Sequence, residues 1–143
     1  MNIRICTYTE AKKLIRQVRN DVFVEEQGVA REEEFDEDDD KCVHAIASND
    51  GLPIATGRLR RDGRIGRIAV VREARGTGIG KRIMCALEKH ARDSGIDHLW
   101  AHAQVHALGF YERLGYFVSG EVFMEEGIPH RHIEKEIQPK KKN

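Results

Sequence analysis

Three glycines stand at alternate positions in Arg75-Gly76-Thr77-Gly78-Ile79-Gly80-Lys81, and Arg82 follows directly. An apolar run precedes them and an amphipathic run follows, so the turn joins a strand to a helix. Glycine lets the backbone turn sharply and approach a ligand with no Cβ in between. The first turn of a helix leaves N–H groups unpaired and carries partial positive charge, so anions bind there. Spacing narrows the choice of phosphate loop. A GxxxxGK[ST] loop would need glycine at Arg75 and a hydroxyl at Arg82, and has neither. A GxGxxG dinucleotide turn accepts Gly76 and Gly78 but meets Lys81 at its third glycine. The strand after the helix, "HLWAHAQ", also ends without the acidic residue a ribose would need. The form that fits is Arg-x-x-Gly-x-Gly, from Arg75 to Gly80.

The elements that must position this turn can be read from periodicity. "NIRICTYT" alternates as a first strand. Thr9 and Glu10 are placed to start a helix carrying Leu14, Ile15, Val18 and Val22 on one stripe, and Gly28 ends it. "REEEFDEDDD", with eight acids between Glu32 and Asp40, reads as a loop. "KCVHAIAS" and "PIATGRLRR" flank the hairpin signal Asn49-Asp50-Gly51, and "RDGR" turns the chain into "IGRIAVV". The helix after the glycines presents Ile79, Ile83, Leu87 and Ala91 on one face and stops at Gly95. "HLWAHAQ" is a strand, "HALGFYERLG" a short helix, and "YFVSGEVF" and "HIEKEI" the last strands. The order is β-α-β-β-β-α-β-α-β-β. It predicts a mixed α/β (α+β) fold: a mostly antiparallel sheet with helices on both faces and one parallel β-α-β unit around the glycines. Residues 1–139 form one domain in this reading and 140–143 a frayed tail.

The glycine turn and the later "FYERLGY" (Phe110–Tyr116) together resemble the GNAT N-acetyltransferase superfamily. "VFVEEQG" (Val22–Gly28), Ala103-Gln104 and "EEGIPH" (Glu125–His130) are similar to its ElaA-like and YjcF-like branch. The resemblance covers nearly the whole chain. It implies a splayed parallel strand pair forming a slot for acetyl-CoA, and direct acetyl transfer to a primary amine on a small molecule or a protein. The backbone of Ile68, Ala69 and Val70 would meet the pantetheine arm, and an N–H near Val70 would polarise the thioester carbonyl. Arg75, Gly76, Thr77, Gly78, Ile79, Gly80 and Lys81 would hold the pyrophosphate. Tyr111 would act as general acid; a phenol with a reference pKa of about 10 is protonated at neutral pH. Many members carry asparagine where this chain has Gln104, which keeps the amide for a cofactor contact. A CoA-binding sensor or interaction module without turnover, and a nucleotide-phosphate binder, are the competing readings.

An alkyl ammonium must lose a proton before it attacks. Glu25, Glu26, Glu121 and His130 are candidate bases, with Glu26 and His130 ahead because they lie in the branch-like segments. His130 and His132 share a strand face, but no spacing indicates a third ligand and His44, His98, His102 and His106 are scattered, so no metal is expected. The acidic run would be a solvated loop, or would steer a cationic amine toward the acceptor side. Cys85 reads as a buried small residue. The 143 residues carry 24 basic and 24 acidic side chains, which gives no field for nucleic acid. No apolar run is long enough to span a membrane. The N-terminus lacks a signal-peptide core, and three scattered cysteines form no disulfide framework, so a cytoplasmic protein is expected. A homodimer through the C-terminal strands is a further expectation.

Overall fold

The computed structural model describes residues 1–139; the tail expected at 140–143 lies outside the described residues. Strands β1 (Asn2–Thr7), β2 (Val43–Asn49), β3 (Leu52–Leu59) and β4 (Ile65–Val70) form an antiparallel sheet in that order. The β2–β3 turn uses Asp50 and Gly51 at φ 52° and 81°. That is the left-handed pair a tight two-residue hairpin turn needs. Strands β5 (His98–Gln104), β6 (Phe117–Glu125) and β7 (Ile128–Glu136) form a second antiparallel sheet, ordered β5-β7-β6. The last strand starts earlier than "HIEKEI": Glu126 and Gly127, at φ 54° and 75°, make another tight turn and bring Ile128–Arg131 into it.

The two sheets meet where β4 begins beside β5. Arg64 and Trp100 form a parallel bridge, and the Trp100 N–H donates to the Gly63 carbonyl at 3.1 Å. Gly63 has φ 91°, and a Cβ there would stand 2.1 Å from the His98 carbonyl oxygen. Only glycine satisfies both demands. The β4-helix-β5 unit is therefore parallel, as the pattern predicts.

Helix α1 (Tyr8–Arg19) begins a fraction of a turn earlier than Thr9. Thr7 is the cap: its hydroxyl accepts from the Glu10 N–H at 3.2 Å, and the Glu10 carboxylate accepts from the Thr7 N–H at 2.7 Å. This reciprocal box ends β1 and starts the helix in one residue. The helix continues as a π-helical segment, Asn20–Glu26, before Gly28 turns the chain at φ 75°. Helix α3 (Ile79–Asp93) packs Ile79, Ile83, Leu87 and Ala91 against both sheets, on the face of Ala45 and Ala47. Ile46, between those alanines, points to the other face, where Ile15, Val18 and Val22 of α1 cover it. Strand β2 is thus buried on both faces. Cys85 is exposed rather than buried, because it falls off the α3 stripe.

The acidic run is not a solvated loop. It forms a short helix α2 (Arg31–Glu34) and a 3-10 turn (Glu37–Lys41), and it folds inward. Glu34 and Asp39 are 1% and 2% exposed. Arg19, itself buried, donates to Glu34 at 2.7 Å and to Asp39 at 2.6 Å, and Arg58 bridges Asp36 and Asp39 at 2.8 Å each. Burial alone would push the Asp36 carboxyl up, but the Arg58 guanidinium overrides it and holds the group below its usual range. Arg16 and Arg19 also lie over the Phe35 ring, at 4.5 and 5.0 Å. Three of these acids are committed to structure, which removes them from the long-range steering expected of the run.

Candidate active site

Past the Arg64–Trp100 bridge, β4 and β5 separate, and the cause is local. Between the pairs Thr56–Ala69 and Arg58–Gly66 the ladder slips, so Arg67 and Ile68 oppose Gly57 alone. Arg67 takes φ 51°. This left-handed conformation is rare in a non-glycine residue. Such a bulge bends its strand and often lies beside a functional site. Here it turns β4 away from β5 and opens a cavity of about 470 Å³ between them. Ile68, Ala69 and Val70 line it on the β4 side, and Gln104 and Tyr111 on the β5 side.

A second cavity of about 480 Å³ adjoins the first and shares the walls Val70, Arg75, Gly80 and Phe110 with it. Its floor is the glycine turn: Gly76, Gly78, Ile79, Gly80 and Lys81. Gly76 and Gly78 have φ 78° and 81°, and Gly78 caps α3 with no side chain on the helix end. No acid occupies the first turn of α3. The helix start therefore presents bare N–H groups and positive potential to the cavity, as an anion site requires. Thr77 faces elsewhere: its hydroxyl donates to the Ala74 carbonyl at 2.5 Å and braces the turn.

Tyr111 stands on α4 (Leu108–Arg113), with its ring edge-on to Phe110 and Tyr116 at 5.0 and 5.9 Å. Burial pushes its hydroxyl pKa up to about 12, so it stays protonated at working pH. Tyr116 anchors the helix end. Its hydroxyl donates to Glu88 at 2.6 Å, and Lys135 donates to Glu88 at 3.1 Å and to the Leu114 carbonyl at 2.7 Å. A buried link from α3 to β7 thus fixes where α4 holds Tyr111.

The four base candidates separate in space. Glu25 and Glu121 are exposed and do not line the cavity. Glu26 lines it, but both carboxylate oxygens accept from the Arg75 guanidinium, at 2.6 and 2.7 Å. That pairing holds its carboxyl below the usual range and makes it a weak base. Arg75 also donates to the Val70 carbonyl at 3.1 Å, which ties the loop to the end of β4. Gln104 lines the cavity with its amide engaged: it exchanges hydrogen bonds with Gln27 at 2.9 and 3.2 Å and contacts His106 at 2.5 Å. His130 lines the cavity and is 5% exposed. Its Nδ1 lies 2.7 Å from the Ile128 carbonyl. A carbonyl can only accept, so Nδ1 carries a proton and Nε2 is left as the basic nitrogen.

Two further groups at this end are not singled out by the sequence reading. Glu125 and His102 also line the cavity, 3.2 Å apart at Glu125 Oε1 and His102 Nδ1. Alternation is the available signal, since Phe123 and Glu125 share one face of β6, and His130 and His132 one face of β7. Among the described residues no cluster of three His, Cys, Asp or Glu side chains could hold a metal ion. No described helix is long and apolar enough to cross a membrane.

Parallel strands that part beyond a single bridge, a glycine turn at a helix start and a tyrosine across the slot are the features of a chain that belongs to the GNAT acetyltransferase family: the model of the acetyltransferase (GNAT) domain matches residues 7–137. Its relatives place it in the ElaA-like and YjcF-like branch. It is 40% identical to the uncharacterized N-acetyltransferase YjcF of Bacillus subtilis over 123 residues, 83% of this chain and 88% of that one. The crystal structure of Escherichia coli ElaA superposes with a TM-score of 0.85 at 25% identity, covering 94% of this chain and 99% of that one. An acyl-CoA N-acyltransferase from Pseudomonas aeruginosa superposes with a TM-score of 0.82 at 28% identity, covering 94% and 98%.

Proposed function

We propose that this protein binds acetyl-CoA and transfers its acetyl group directly to a primary amine. The reading rests on two adjoining cavities: one lies between β4 and β5 beside the bulge at Arg67, and the other, which shares the walls Val70, Arg75, Gly80 and Phe110 with it, lies over the glycine turn. The turn from Arg75 to Lys81 holds the pyrophosphate with its free N–H groups. The exposed edge of Ile68, Ala69 and Val70 lies along the pantetheine arm, and a backbone N–H near Val70 polarises the thioester carbonyl, where a fixed donor acts on the developing oxyanion. Gln104 meets the arm from the facing strand after releasing Gln27.

Tyr111 donates its proton to the leaving thiolate, a role that a hydroxyl kept protonated by burial can fill at any working pH. His130 takes the proton from the acceptor ammonium at Nε2. Glu26 instead holds Arg75 in place at the start of the turn. Turnover of acetyl-CoA against a library of primary amines, read by release of free thiol, tests the reading. At least one amine is expected to raise thiol release well above the rate in water, with a matching gain of acetyl mass on the amine. Binding of acetyl-CoA with no transfer to any amine or lysine peptide would favour a CoA-binding module without turnover.

A further inference from the structure

Glu125 sits between two imidazoles at the acceptor end of the cleft. Its Oε1 is 3.2 Å from His102 Nδ1 and its Oε2 is 3.6 Å from His130 Nε2. Phe123, two residues earlier on the same face of β6, fills the space between the rings: edge-on to His102 at 4.9 Å and stacked on His130 at 6.0 Å. One strand thus spaces the histidines with its aromatic ring and bridges them with its carboxylate. All three titratable groups line the cavity.

We infer that Glu125 is the positioning residue of a proton relay, His102–Glu125–His130, that serves the acceptor amine; this rests on the acetyl-transfer reading above. The hydrogen-bond roles support it. The Ile128 carbonyl locks His130 with Nδ1–H, so proton uptake must occur at Nε2, the nitrogen that faces Glu125. Once protonated, that nitrogen faces the carboxylate 3.6 Å away as an ion pair. His102 Nδ1 has two neighbours of opposite sign, Arg64 Nη2 at 3.2 Å and Glu125 at 3.2 Å. Unprotonated, it accepts from Arg64; protonated, it donates to Glu125. Each imidazole therefore gains a partner on taking a proton, and the partner is the same carboxylate.

The groups facing the relay come from β4, β5 and β7 and from the residues that flank β4 and join β6 to β7. Arg64, stacked over Trp100 at 5.1 Å, faces His102 and lies 3.9 Å from Glu125. His132 stands 6.0 Å from His102, ring to ring, and Gln104 is the neutral partner opposite His130 across the strands. Arg67 and Glu126 form a 3.8 Å pair on the same cavity wall. Burial, first, and Arg64 oppose charge on His102, while Glu125 favours it.

The acceptor ammonium gives one proton to His130 Nε2, and the freed amine bonds to the thioester carbonyl carbon. The C–S bond breaks and the thiolate takes the Tyr111 proton. The second N–H proton leaves the new amide nitrogen and restores Tyr111 through solvent, while the proton on His130 passes by Glu125 to His102 and from there to solvent. Amide, free thiol and one net proton result.

The test uses full-length protein with 15N-labelled histidine. A neighbouring anion stabilises imidazolium, so Glu125→Gln is expected to move the NMR titration of His102 lower by about half a pH unit or more, with Glu125→Asp between it and the parent. With the amine found in the thiol-release screen, Glu125→Gln is expected to lower kcat about tenfold, a modest share of what proton transfer contributes. The KM for acetyl-CoA should stay unchanged. A His102 titration that stays in place in both folded variants, as judged by circular dichroism, would overturn the relay. If parent protein binds no acetyl-CoA, the acetyl-transfer reading fails, and the His102 titration still decides whether Glu125 governs that imidazole.

Discussion

The residues divide by what their neighbours leave them free to do. Burial governs the Tyr111 hydroxyl and pushes it up to about 12, so it stays protonated and is present as a donor at neutral pH. Replacing Tyr111 with Phe is expected to lower kcat at least about tenfold, with acetyl-CoA affinity unchanged because the ring contacts with Phe110 and Tyr116 persist. Calorimetry and steady-state rates on the same preparation check both halves; an unchanged kcat would remove the general acid. Glu26 and His130 are equivalent in sequence, each in a segment like the same branch. Space separates them: the Arg75 fork claims one, and a single backbone carbonyl frees the better nitrogen of the other. Neither partner is legible in sequence, since Arg75 is far along the chain from Glu26 and a carbonyl has no letter.

At the scale of elements, the cleft depends on two irregularities in otherwise regular strands. One is the bulge at Arg67, invisible in "IGRIAVV", where the pattern reads as an unbroken strand. The other is Gly63, whose turn "RDGR" is legible but whose second duty, close approach to the His98 carbonyl, is not. Gly63→Ala is expected to destabilise the protein by about 2 kcal/mol, the cost of strained backbone, visible as a lower urea midpoint. It should also weaken the seam between the sheets and so lower acetyl-CoA affinity. Stability equal to the parent would mean that the seam yields. Most strands, the α3 stripe and the Asn49-Asp50-Gly51 turn are readable because period and turn chemistry are local; the Glu126-Gly127 turn, which lengthens the last strand, is missed. The start of α1 is misplaced in the sequence reading because Thr7 ends a strand and caps a helix at once.

Across the whole molecule, the largest departure from the sequence reading is the acidic run. A stretch with eight acids suggests a solvated segment, yet Glu34 and Asp39 are buried on arginines from α1 and β3. The partners come from distant parts of the chain, and only Phe35 within the run hints at burial. Arg19→Met would leave two buried carboxylates short of a cation and is expected to cost about 3–5 kcal/mol, read from urea unfolding; a cost under about 1 kcal/mol, the scale of a surface pair, would show that the network is not essential. The family and the chain order of the elements are within reach of the sequence, because the glycine turn and "FYERLGY" are local motifs. The sheet order β5-β7-β6 and the meeting of Glu125, His102 and His130 are not, because they arise only through the pairing of three strands. The most direct test of the account is calorimetric titration of the protein with acetyl-CoA, ATP and NAD in parallel. Saturable one-to-one binding of acetyl-CoA, much tighter than that of ATP or NAD and weakened when Gly78 is replaced by Ala, is the predicted result. Tight binding of ATP with none of acetyl-CoA would contradict it.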